Sequence, residues 1–93
     1  MIEIENNIYK RALNIFGLKA QSEVAIEEMA ELIQAISKHN RSKAHNVEEE
    51  IADVEIMLNQ IKLAFDEELI EEWKIIKLAR LNKILDKLEE EDV

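Results

Sequence analysis

The chain has 93 residues, one glycine, no proline, no cysteine and a formal net charge of −9. Without cysteine there is no disulfide framework, no thiolate metal site and no thiol nucleophile. With no dense Lys/Arg patch, nucleic acid is disfavoured as a partner. No run approaches the roughly 20 apolar residues needed to span a bilayer. The acidic start, Met1-Ile2-Glu3-Ile4-Glu5, lacks the apolar segment of a signal peptide. The expectation is one helical domain over residues 1–93, soluble and cytoplasmic, with no membrane partner.

Four helices can be drawn. The first is expected from about Ile4 to Phe16, with Ile8, Ala12 and Ile15 on one stripe. Gly17, the one glycine, sits where a helix C-terminus wants a left-handed residue. The second helix is expected from about Ser22, as N-cap, to Lys38. His39-Asn40-Arg41-Ser42-Lys43-Ala44-His45-Asn46 is polar, basic and aperiodic, and reads as a loop. The third helix follows Asn46 and runs to about Ala64. Asn46 with Glu49 three residues on forms a capping-box pattern. Asp66 is the expected N-cap of a fourth helix, whose apolar stripe includes Leu69, Trp73, Ile76, Leu81, Ile84 and Leu88. The terminal Glu89-Glu90-Glu91-Asp92-Val93 is expected to fray.

Two acidic pairs carry the chemistry: Glu28-Met29-Ala30-Glu31 and Glu50-Ile51-Ala52-Asp53. At about 100° per residue, Glu28 falls inside the apolar arc of the second helix, and Glu31 lies near −60° from it, at the edge. Glu50 and Asp53 repeat that placement on the third helix. Two antiparallel helices joined through these arcs would bring four carboxylates together. Burying such charges costs several kcal/mol per ion unless something compensates, and a divalent cation is the natural compensator. Carboxylate oxygens are hard donors that suit Mg²⁺, Mn²⁺ or Ca²⁺. Mg²⁺ keeps open positions for water and substrate phosphates, so the expected substrate is a phosphate ester or anhydride. Neither His39 nor His45 follows a glutamate at the spacing of a di-iron bundle, and there is no glycine-containing calcium loop. Lys38 and Arg41, beside the loop, and Lys77 and Arg80, on the fourth helix, are candidates for holding substrate phosphates. The competing role for Lys77 and Arg80 is to lay their stems along apolar surface with their heads in water.

Glu28-x-x-Glu31, 18 intervening residues and Glu50-x-x-Asp53 resemble the paired motif of the all-α, MazG-like nucleoside triphosphate pyrophosphohydrolases. The surrounding Glu27–Ile36 and Glu49–Val54 segments fit the same resemblance, as does the basic Lys77-Leu78-Ala79-Arg80-Leu81 run. It covers about residues 20 to 85. It implies a four-helix-bundle-like fold completed by oligomerisation, as a homodimer or homotetramer. It implies Glu28, Glu31, Glu50 and Asp53 as catalytic metal ligands for Mg²⁺, with Mn²⁺ as a substitute. The implied reaction converts an NTP or dNTP to the monophosphate and pyrophosphate. The rival expectation is a non-catalytic helical interaction module, an adaptor or a degenerate family member. A second rival is a metal-dependent phosphohydrolase acting on another class of phosphate substrate.

Overall fold

The computed structural model describes residues 2–91. They form four helices: α1 (Ile2–Phe16), α2 (Leu18–Asn40), α3 (Val47–Lys62) and α4 (Glu67–Glu91). No strand occurs among them, so the all-α expectation holds. No described helix is long and apolar enough to cross a membrane.

The junctions explain the boundaries. Gly17 has φ 86° and ψ 155°, a conformation that a side chain strongly disfavours. Its N–H closes α1 on the Leu13 carbonyl at 2.8 Å, and its own carbonyl accepts from Gln21 at 3.1 Å. One residue thus ends α1 and starts α2. The expected start at Ser22 is therefore too late: Ser22 lies inside α2. At the far end α2 continues to Asn40, two residues beyond the expected Lys38. Ser42 then turns left-handed at φ 58°. Its N–H bonds the His39 carbonyl and the Lys43 N–H bonds that of Lys38, the paired closure of a Schellman motif. Asp66 caps α4 as expected, accepting from the Leu69 N–H at 3.0 Å. Glu89–Glu91 are helical rather than frayed; Asp92 and Val93 lie outside the described residues.

The main contact is the α2–α3 hairpin, with α1 laid against both helices. Ala25 and Ala35 are each only 2% exposed. Their small side chains let the two backbones approach closely. Tyr9 and Met57 are the other buried apolar residues, and no large side chain is completely enclosed. A buried polar bond fixes the register: Gln21 Nε2 donates to Gln60 Oε1 at 2.7 Å, and Gln60 Nε2 reaches Met57 Sδ at 3.6 Å.

α4 departs from the expected bundle. It has no buried residue and makes at most a marginal contact with the other helices. Its stripe is open, with Trp73 49% exposed. The radius of gyration is 17.2 Å, against about 12 Å for a compact domain of this length. One chain therefore does not close a four-helix bundle.

The Gln21–Gln60 bond generates a stability prediction. Gln21→Leu or Gln60→Leu alone leaves the partner amide buried without its bond and should cost about 1–3 kcal/mol. The double substitution removes both polar groups and should recover most of that loss. Urea unfolding of the three variants checks this. Simple addition of the two single losses would show that the bond does not couple the helices.

Candidate metal centre

The hairpin register decides which acids meet. Gln21 opposes Gln60, Glu28 opposes Asp53 and Glu31 opposes Glu50. All three pairs are symmetric about the Asn40–Arg41 bond. The acidic pairs, placed on separate helices by the sequence, therefore meet across the α2–α3 seam.

Glu28, Glu31 and Glu50 each offer an oxygen within 4.8 Å of the others. Asp53 stands outside that triad but faces Glu28 across the seam. With Glu28, Ile56 and Met57 it lines a small concavity of about 90 Å³. Glu50 is the deepest of the four, 7% exposed; Glu28 and Asp53 are half-buried and Glu31 is exposed. The helical angles predict Glu31 at the edge, and it is there. They put both Glu28 and Glu50 inside the apolar arcs and Asp53 at an edge; Glu50 is buried, whereas Glu28 is half-buried like Asp53.

The electrostatics are unfavourable without a cation. Glu28 Oε2 and Glu50 Oε2 are buried with no hydrogen-bond partner. Burial raises the Glu28 pKa above its ordinary value, and repulsion from Glu31, Asp53 and Glu50 raises it further. Burial likewise raises Glu50; the Asn46 hydrogen bond partly offsets this, and Glu31 and Asp53 add to the rise. Two orphaned buried carboxylate oxygens among all-oxygen donors fit a hard divalent cation.

Asn46 does not form the expected capping box. Its side chain caps no N–H of α3. Instead Nδ2 donates to Glu49 Oε1 at 3.1 Å and to Glu50 Oε1 at 2.8 Å. Bonds to ionised acceptors are stronger than neutral ones, so the carboxylates outcompete the backbone for this side chain. The Val47 N–H bonds His45 Nδ1 at 3.3 Å instead. The His45 ring meets the edge of His39 at 4.9 Å between centroids.

The candidate cations are not gathered with the acids. Lys38 and Arg41 are exposed at the loop end of the hairpin, where Arg41 Nε bonds the Ser37 carbonyl at 3.3 Å. Lys77 and Arg80 are exposed on α4, with Lys77 Nζ 5.9 Å from the centre of the Trp73 ring. Within one chain α4 does not pack on the α2–α3 pair that carries the acids. Among the described residues the ion pair found is Lys74–Glu71, 3.5 Å, on the surface of α4.

No family model, no curated protein and no solved structure matches the chain.

A pH prediction follows from the raised Glu28 and Glu50. A carboxyl whose pKa is raised on folding favours the folded state below its unfolded value, here 4.5, and loses that contribution as pH rises through the higher folded value. Metal-free protein should therefore gain from these two groups on acidification from neutral pH toward 5. Glu50→Gln should flatten the melting-temperature profile over that range. A profile unchanged by the substitution would remove Glu50 as a source of the repulsion. With Mg²⁺ present the trend should reverse, because cation binding requires ionised ligands.

Proposed function

We propose that the chain is a Mg²⁺-dependent nucleoside triphosphate pyrophosphohydrolase acting as a homo-oligomer. The observation that carries the reading is the convergence of Glu28, Glu31 and Glu50 within 4.8 Å, with Asp53 against Glu28 and two buried oxygens unpartnered. The resemblance of Glu28-x-x-Glu31 and Glu50-x-x-Asp53 to the MazG-like motif supplies the substrate class.

In this reading the four carboxylates hold the cation, with Mn²⁺ able to replace Mg²⁺. A bound divalent cation would polarise a phosphoryl oxygen and lower the pKa of a water for attack. The chain's contribution is positional. The α2–α3 register fixes the acids, Asn46 ties down one oxygen of Glu50, and the exposed rim at Glu31 leaves a side for the triphosphate. Lys38 and Arg41, at the loop end of the hairpin and apart from the acids, would reach toward the outer phosphates from the same chain. Lys77 and Arg80 would come to the acids from a second copy.

The open apolar surface supports that second copy. Four buried apolar side chains are too few for a stable domain of this size. α2 leaves Ile26 and Ile33 open, and α4 leaves its whole stripe open. Leu58, Ile61, Phe65, Leu69, Ile70 and Trp73 form an apolar concavity of about 520 Å³ at the α3–α4 corner. A standard interface buries about 800 Å² per partner, and the open α4 stripe with this groove is the apolar face that would supply it.

Two outcomes test the proposal. Light scattering should find an assembly of at least twice 10.9 kDa, and Leu81→Asp should dissociate it; a stable folded monomer would refute the assembly. Incubation with a panel of NTPs and dNTPs plus Mg²⁺ should release pyrophosphate and the monophosphate. Glu28→Gln and Asp53→Asn should each abolish that release. Their metal-free melting temperature should stay equal or rise, because an uncompensated charge is gone. Variants that turn over a triphosphate as fast as wild type would end the proposed roles of these two acids.

A further inference from the structure

We propose that Asn46 is a positioning residue for the cation site: its side-chain amide ties off one oxygen of Glu50 and leaves the other for the cation. The inference rests on the metal reading above and concerns a residue outside the acidic motif.

Three observations carry it. First, Asn46 stands immediately before α3 and its residue type suits an N-cap, yet its side chain makes no cap bond. Second, its Nδ2 spans two carboxylates, 3.1 Å from Glu49 Oε1 and 2.8 Å from Glu50 Oε1. Only the NH₂ end of the amide can face two acceptors. Third, Glu50 is 7% exposed and its remaining oxygen, Oε2, is buried with no partner. The carboxylate is thus half satisfied by the protein and half unsatisfied, and it stands in a group with Glu28 and Glu31 whose oxygens lie within 4.8 Å of one another.

The arrangement has a physical consequence. A glutamate side chain has three rotatable bonds, and repulsion from Glu28 and Glu31 favours swinging it away. The Asn46 bond holds it in place and is charge-assisted. It leaves the metal-facing oxygen free and lowers the cost of keeping Glu50 ionised before the cation arrives. Groups that orient a metal ligand in this way are typically worth about 10–100-fold in metal affinity.

Asn46→Ser and Asn46→Gly separate this role from that of starting α3. Serine and glycine are both accepted N-cap residues, glycine costing only a few tenths of a kcal/mol relative to the best. Neither can carry an amide donor to Glu50. Mn²⁺ alone, titrated into the full chain by calorimetry, is the readout. Metal-free melting and helix content should stay close to wild type, while both variants bind Mn²⁺ about 10–100-fold more weakly. Wild-type affinity in both variants would overturn the positioning role and leave the metal site standing. Absence of Mn²⁺ uptake by the wild-type chain would overturn the metal reading and this inference with it. Collapse of both metal-free variants would show that Asn46 holds the start of α3 itself, and would overturn the assignment.

Discussion

Carboxylate repulsion across the α2–α3 seam is the constraint around which this structure is arranged. The hairpin is held by small contacts: two buried alanines, one methionine and one amide–amide bond. Into the same seam it brings Glu28, Glu31 and Glu50, with Asp53 beside them. Apolar residues of similar volume would stabilise such a seam better than unpaired acids. The acids therefore oppose folding in the free chain, and their placement calls for a compensating charge from outside it. None of the exposed lysines or arginines supplies that charge: the ion pair found among the described residues lies within α4, away from the acids.

The same register explains why the seam tolerates the acids. Gln21 and Gln60 meet near one end and Asn46 approaches Glu50 near the other. Polar contacts thus bracket the acidic level. A buried amide pair resists a slip of one helix past the other, because any other register leaves two amides unpaired. The level at which Glu28 faces Asp53 and Glu31 faces Glu50 is fixed by groups that are not themselves acidic.

Much of this was legible in the sequence because it is periodic. The apolar arcs marked four helices, and the angular offset of each acidic pair anticipated a deep Glu50 and a peripheral Glu31. Gly17 and Asp66 were legible because only a few residue types suit their positions. Gln21 was missed, although it lies near 20° from Glu28 and hence inside the apolar arc; a polar residue there signals a buried partner. Ser42 was illegible because its left-handed turn is imposed by the Schellman bonds and not by a glycine. The Asn46 cap failed because a local pattern could not weigh Glu50, a buried carboxylate that claims the same amide. The α4 stripe was read correctly as apolar, but periodicity says only that a face needs cover. It does not say whether the cover comes from the same chain.

That distinction bears on the choice between the proposed enzyme and an interaction module. A helical adaptor needs the open α4 stripe and the groove beside it, and the structure provides both. It has no use for four acids converging on a different pair of helices. If cover by a second copy were the whole purpose of the chain, the α2–α3 seam would be free to carry leucine or alanine at Glu28 and Glu50, with a gain in stability. The acids instead occupy the one well-packed seam, away from the open α4 face. Two separate features, one apolar and unpaired, the other acidic and under-compensated, are what an oligomeric metal-dependent hydrolase requires. In the proposed function the first would assemble the copies, and the second would bind the cation and, through it, the substrate phosphates.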